Sequence, residues 1–458
     1  MKTKITTKTL LALSTLALTL TFSSCTKQQG CMDPMALNYD EGAEQDCCCA
    51  YINDNIGLDE NKVVSGNIIS STTWTNNNIY ELAGKVIVEN GATLTIEEGT
   101  IVKGRTGTGS LASALVIAKG SKIIAEGTES RPIIFTSVLD NIERGELTGT
   151  NLNEEDNAKW GGLIILGNAP ISAENGDSSS QIEGIPADEE YGRYGGNDPA
   201  DNSGILTYVS VRHGGALIGE GNEINGITLG GVGNGTTMHH IEVVANLDDG
   251  IECFGGTVII DNAIVGFQGD DGIDLDQNYS GTINNFAVIH GIDTDEALEI
   301  DGPEGSLTDG LFTLSNGLII STDGTGSAMD LKSGAQGTIE AVSIWGYDSG
   351  SVIKLRCSFE EDCATDKEDA YTHYVNNTST LSIINSEFGE NSLGNSISIY
   401  TKSTDGSGIA CPIPINFQLT GESVLSANGN IFNASSPSVG ADLTEFNNWS
   451  WSAIHGKF

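Results

Sequence analysis

Five segments of this chain fall into one alignment when each is started at the acidic or small residues before a strand. They read Asp248-Asp249-Gly250-Ile251-Glu252-Cys253-Phe254, Asp270-Asp271-Gly272-Ile273-Asp274-Leu275-Asp276, Asp295-Glu296-Ala297-Leu298-Glu299-Ile300-Asp301, Gly326-Ser327-Ala328-Met329-Asp330-Leu331-Lys332 and Gly350-Ser351-Val352-Ile353-Lys354-Leu355-Arg356, at steps of 22, 25, 31 and 24 residues. Asn225-Gly226-Ile227-Thr228-Leu229 is an earlier, weaker copy. Each copy passes from a small residue into apolar/polar alternation, the mark of a half-buried strand. A second short strand recurs between copies, often opened by asparagine, as in Asn262-Ala263-Ile264-Val265, Asn285-Phe286-Ala287-Val288 and Asn316-Gly317-Leu318-Ile319. His240-Ile241-Glu242-Val243 and Glu340-Ala341-Val342-Ser343 are variants of it. Several short strands per repeat without helical periodicity exclude a helical repeat and a Rossmann unit. They predict an all-β chain folded as a right-handed parallel β-helix, each coil burying its inward residues on the next. The asparagines would then stack at one corner; a sandwich or a propeller is the alternative.

In that fold the alignment becomes a set of columns. Ile251, Ile273, Leu298, Met329 and Ile353, with Cys253, Leu275, Ile300, Leu331 and Leu355, face inward as core. Two outward columns read Glu252, Asp274, Glu299, Asp330, Lys354 and Phe254, Asp276, Asp301, Lys332, Arg356. Successive coils stack about 4.8 Å apart, too close for bare carboxylates unless they are protonated, paired or bound to metal. Asp274, Asp276, Glu299 and Asp301 thus present four hard oxygen ligands for Ca2+. Lys332, Lys354 and Arg356 follow them, placed to face an acidic sugar. The bland alternative is an exposed strand face whose charges cross-pair weakly. His240 falls in the corner column and reads as a hydrogen-bonded turn residue rather than a ligand.

The 458 residues carry 62 Asp plus Glu against 21 Lys plus Arg, a net charge of −41. That excludes nucleic acid as a partner, because phosphate contacts need Lys and Arg. The 58 glycines suit many tight turns. Lys2, Lys4 and Lys8 precede an apolar stretch over 10–22 and then Ser23-Ser24-Cys25, the layout of a secretory signal too short to span a bilayer. Residues 1–24 are read as the signal, 25–51 as a small cysteine module, 52–62 as a linker, 63–366 as the β-helix and 367–458 as terminal coils and a cap. The stretches 138–158 and 172–202 read as loops leaving the helix, and Trp449-Ser450-Trp451-Ser452 as a half-buried strand. An oxidising compartment makes disulfides expected. Cys31 would pair with one of Cys47, Cys48 and Cys49, and Cys357 is close enough in sequence to pair with Cys363. Cys253, in an apolar strand position, reads as a buried free thiol.

Four resemblances sharpen this. Ser23-Ser24-Cys25 resembles a bacterial lipobox, which implies lipidation of Cys25 and anchoring in the outer membrane, with the cell surface as the expected location. Cys31-Met32-Asp33-Pro34, Asn38-Tyr39, Asp46 and Cys47-Cys48-Cys49 resemble a short module of Bacteroidota surface proteins, departing from it at Met32 and at the Cys triplet. Trp160-Gly161-Gly162-Leu163, Gly195-Gly196-Asn197-Asp198 and the repeats resemble Bacteroidota lipoproteins with pectate-lyase-like β-helices. That group implies the fold and no fixed activity. The two charged columns are similar to the site of calcium-dependent pectate lyases, in which Ca2+ acidifies a uronate and a Lys or Arg removes the proton. The expected function is an acidic β-helix for glycan, Ca2+ or protein-partner binding, as part of an outer-membrane complex or alone. The alternative is a uronate lyase using Lys332, Lys354 or Arg356.

Overall fold

The computed structural model describes residues 29–30, 42–43, 45–46, 61–174, 179–217, 224–348, 352–376, 380–389 and 393–458. Two compact units divide the chain at Leu58. In the first, Gln29–Gly30 pairs in parallel with Gln45–Asp46. Cys25, Cys31, Cys47, Cys48 and Cys49, with the signal and lipobox readings, lie outside the described residues.

The second unit is a right-handed parallel β-helix built on one 25-stranded sheet. Three ladders run along it. The first stacks Ala114–Ile117, Leu163–Leu166, Ile227–Gly230, Ile251–Phe254, Ile273–Asp276, Glu296–Ile300, Ser327–Leu331, Ile353–Arg356 and Ile397–Tyr400, all in parallel. The second and third are the two halves of longer strands such as Thr237–Val244, Ile259–Gly266, Thr282–His290 and Phe312–Ser321. A single left-handed residue splits each of them: His240, Asn262, Asn285, Asn316 and Ala341 have φ between 53° and 59°. Asparagine tolerates this conformation best after glycine because its short amide bonds locally. The expected asparagine corner therefore exists, but as the bend inside a long strand rather than as a strand start. Its amides stack, Asn285 Nδ2 donating to Asn262 Oδ1 at 2.6 Å and Asn316 Nδ2 to Asn284 Oδ1 at 2.8 Å.

The predicted inward columns are core: Ile251, Ile273, Leu298, Met329 and Ile353 have no exposed surface. The small residue before each strand is dictated by coil spacing. A Cβ on Gly250 would sit 2.3 Å from Val265 Cγ1 and 2.6 Å from the carbonyl oxygen of Gly272. Cys253 is a buried free thiol, as its strand position implies.

Three features differ from expectation. Cys363 pairs with Cys411, 48 residues on, while Cys357 is a buried free thiol. Cys357 closes a first-ladder strand and contacts the Tyr400 carbonyl, whereas the hairpin of Ser358–Phe359 and Asp366–Lys367 carries Cys363 away from it. The described parts of the stretches 138–158 and 172–202 pack back on the helix rather than leaving it. Ile142 packs on Ile79, Ile101 and Ile134, and Ile171, Ile182, Ile185 and Tyr194 lie over Val116, Ile164, Leu166 and Phe254. The tail adds the expected further coil, Leu381–Ile384 and Glu387–Gly389 pairing with Gly337–Trp345 and Ile397–Tyr400 with Ile353–Arg356, but it forms no strand at 449–452. The helix Ile415–Ala427 packs Phe417 and Leu425 against the terminal coil, and the remaining chain returns along the flank. There Phe446 and Trp449 bury Ile264, Ala287, Ile289 and Leu318, and Trp451–Ile454 is a single helical turn. The backbone N–H groups of Trp451 and Ser452 donate to the Glu242 carboxylate at 2.8 and 2.9 Å, and Arg212 lies 3.7 Å from the same group with both side chains fully buried.

Candidate functional site

Register carries the outward columns as aligned. Thr228, Glu252, Asp274, Glu299, Asp330, Lys354 and Ser398 are successive partners along the first ladder. They are not, however, a solvated strand face. Residues 171–174 and 179–194 lie over one end of them, Tyr194 donating to Gln277 Oε1 at 2.9 Å and the Glu304 N–H to the Ser172 carbonyl at 3.0 Å. Glu252, Asp274 and Asp330 are all under 9% exposed.

A third column comes from the residue before the small one: Asn225, Asp249, Asp271, Glu296 and Ser327. It was legible in the same alignment as the recurrent acid of Asp-Gly. These side chains point along the coil axis and satisfy the backbone of the next coil. The Asp271 N–H donates to Asp249 Oδ1 at 2.9 Å, the Glu296 N–H to Asp271 Oδ1 at 2.7 Å, and Ser327 Oγ to Glu296 Oε1 at 2.9 Å.

The carboxylates group in overlapping sets whose oxygens lie within 4.8 Å of one another: Asp248/Asp249/Asp270, Asp249/Glu252/Asp274, Asp274/Asp276/Asp301 and Asp271/Glu296/Glu299. The fold thus brings together three of the four residues expected for Ca2+ and assigns Glu299 to a neighbouring set. Oxygens coordinated to one Ca2+ at 2.3–2.6 Å are separated by at most about 5 Å, so Asp274, Asp276 and Asp301 fit that ion. Burial is the main cause pushing these groups up, followed by the neighbouring carboxylates. It raises Asp274, with Asp276 next to it, and Asp276, with Asp301 next to it, well above the ordinary range. Asp249 and Glu252 are raised likewise by burial and then by Asp248 and Glu183, and Asp271 is pushed up to about 12 by burial and Asp249.

Where the columns turn basic, every expected base is engaged. Lys332 pairs with Glu299 and, at 3.2 Å, with Asp301. Lys354 pairs with Glu296 and lies 3.9 Å from Asp295. Burial acts to lower the Lys332 ammonium, but Asp301 and Glu299 outweigh it and hold it above the ordinary lysine value. The same contest, with Glu296 winning, raises Lys354. Arg356 turns aside to Asp369 at 2.9 Å and Ser333 Oγ at 2.6 Å. Beside these pairs opens a groove of about 460 Å³ lined by Asp295, Glu296, Glu299, Asp330, Lys332, Lys354, Ser398, Tyr400 and Lys402. Its floor is Asp330, which accepts the Tyr400 hydroxyl at 2.8 Å and is pushed up to about 6 by burial and then by Glu296. Tyr400 and Lys402 were missed because they lie in the terminal coil, past the last recognisable repeat.

His240 behaves as a turn residue. Its ring stacks on Tyr208 at 4.2 Å, and Nε2 meets Glu445 of the returning tail at 3.0 Å. Asp201 has Asn168 and Ser203 donating to its carboxylate at 3.0 Å each.

A family model described as a pectate-lyase like beta helix domain matches residues 66–412. No curated protein and no solved structure matches the chain.

Proposed function

The chain belongs to the pectate-lyase-like β-helix family, and from that premise we propose that it is a binding protein for acidic glycans rather than a lyase. In this reading it is exported, lipidated at Cys25, and held at the outer membrane facing outward. Ca2+ on Asp274, Asp276 and Asp301 shares its remaining coordination positions with sugar carboxylates. The ammonium groups of Lys332, Lys354 and Lys402 meet further carboxylates along the groove.

The observation that carries the reading is the groove itself: an open cleft with three lysines on its lining, adjoining a carboxylate trio of Ca2+ dimensions. Protein acids alone would repel a polyuronate, and lysines alone would bind any anion. Together they select a carboxylate-bearing chain that arrives with a divalent cation. The lyase reading is weaker because a proton-abstracting lysine must be neutral near working pH. Lys332 and Lys354 are shifted the wrong way for that task, and Arg356 points to Asp369.

The test is affinity electrophoresis in gels containing polygalacturonate or alginate, with Ca2+ or with EDTA. Retardation is expected in Ca2+ only, lost in Asp276→Asn and weakened in Lys402→Ala. No retardation on any polyuronate sinks the reading. Release of an ultraviolet-absorbing unsaturated product, abolished in Lys332→Ala, would restore the lyase.

A further inference from the structure

At the amino-terminal side of the Asp274/Asp276/Asp301 trio, the first ladder encloses another set of oxygens. Asp249, Glu252 and Asp274 are each 6% exposed, and each brings an oxygen within 4.8 Å of the other two. They come from adjoining coils, Asp249 and Glu252 flanking the start of one strand and Asp274 sitting in the next. Asn225, with no exposed surface, closes the set from the preceding coil by donating Nδ2 to Glu252.

The neutralisation seen lower on the ladder does not reach this set. Lys332 serves Glu299 and Asp301, and Lys354 serves Glu296 and Asp295. Among the described residues, no Lys, Arg or His forms an ion pair with Asp249, Glu252 or Asp274. Two oxygens here also accept no hydrogen bond although they are buried: Asp274 Oδ1 and the amide Oδ1 of Asn225. Buried acceptors are nearly always satisfied. Two orphan acceptors, one on Asp274 of the set and one on the Asn225 that donates to it, point to a partner that the protein itself does not supply.

We infer that Asp249, Glu252, Asp274 and the Asn225 amide oxygen form an enclosed divalent-cation site, a structural one, that ties three coils together. The donor set is all oxygen, which selects Ca2+, Mg2+ or Mn2+ over Zn2+ and Cu2+. Among these Ca2+ fits best, since Mg2+ keeps several waters and demands near-ideal octahedral geometry, whereas Ca2+ accepts an irregular protein cage. The Asp249 oxygen that accepts the Asp271 N–H stays on the backbone, and its second oxygen is left for the ion. Asp274 is common to this enclosed set and the open trio, so the two positions are adjacent and bridged. None of the enclosed set's own residues lines the groove.

The inference does not rest on the glycan reading. It is tested with the full-length mature protein and Ca2+ alone, after EDTA treatment and desalting. Wild type is expected to melt about 3 °C higher at Ca2+ a hundredfold above its Kd. Glu252→Gln should lose most of that rise, while Asp301→Asn, which lies outside the enclosed set, should keep it. Equal rises in wild type and Glu252→Gln, or none in wild type, overturn the site. Should Glu252→Gln fail to fold, equilibrium dialysis of Asp276→Asn/Asp301→Asn decides. One Ca2+ per chain supports the enclosed site, and none refutes it. A protein that keeps this Ca2+ yet binds no polyuronate upholds the inference and sinks the glycan reading.

Discussion

Glu242 offers the sharpest test of how the tail is held. Its carboxylate is fully buried, faces Arg212 at 3.7 Å, and accepts Ser210 Oγ at 2.6 Å, the Trp451 N–H at 2.8 Å and the Ser452 N–H at 2.9 Å. Glu242→Gln keeps the volume and removes the charge. Arg212 is then a fully buried guanidinium facing a neutral amide, and burial already lowers its affinity for the proton. Removing one partner of a buried pair costs about 3–5 kcal/mol, most of it the penalty on the charge left behind. The amide also has one acceptor oxygen where the tail presents two N–H groups, and a hydrogen bond to a charged group is worth about 1.5–3 kcal/mol. The expected loss is therefore about 4 kcal/mol in urea unfolding, with earlier hydrogen exchange at 449–458. Arg212→Met on top of Glu242→Gln should recover part of it, because the stranded charge is gone. A loss under about 1 kcal/mol, or a double variant worse than the sum of the singles, would refute the assignment of the penalty to Arg212.

Three further outcomes follow from the same geometry. Asp330 carries a folded-state value raised from 3.8 to about 6, so the folded protein binds the extra proton. Its contribution to stability is full below about pH 4, is lost as pH rises to about 6 and then levels off. Asp330→Asn should flatten that step, which is at most about 3 kcal/mol, in melts across pH 4–7. Cys363→Ser/Cys411→Ser opens a loop of 48 residues and should cost about 4 kcal/mol at most by the chain-entropy estimate, read as a lower unfolding midpoint. At the corner, Ala341 holds φ 56° with no amide to stack. Ala341→Asn should stabilise by about 0.5–1 kcal/mol, and a loss in the same melt would contradict the account of the bend.

The repeat made the β-helix and its columns legible, because stacking forces every coil to reuse the same inward and outward positions. Ile273, Leu275 and Asp274 land where alternation puts them. What local pattern could not reveal was which outward face is covered. The covering residues Tyr194, Trp449 and Trp451 sit in segments with no period, and they meet the helix across sequence separations of 83 for Tyr194–Gln277 and 209 for Trp451–Glu242. Glu299 groups with Asp271 and Glu296 rather than with the other three acids for a related reason. Alignment gives columns but not side-chain direction, and the Glu299 carboxylate pairs with Lys332. The Asp249–Asp271–Glu296 column was in plain view, yet strand alternation ends just before it and so does not say that those acids point along the coil axis.

The returning tail has a consequence for how the molecule comes apart. A plain stack of coils interacts only with nearest neighbours, so it can fray inward from its last coil one rung at a time. Here the final residues are latched to a strand made some 200 residues earlier. Fraying at the carboxy-terminal end must peel Trp449 and Trp451 from the middle of the rod before the interior coils are free to follow. Loss of the end is thereby coupled to loss of the centre, and the barrier to unfolding rises even where the equilibrium stability of each coil is ordinary. The same latch sets an order of assembly, since the flank cannot be closed until residues 446–452 have been made.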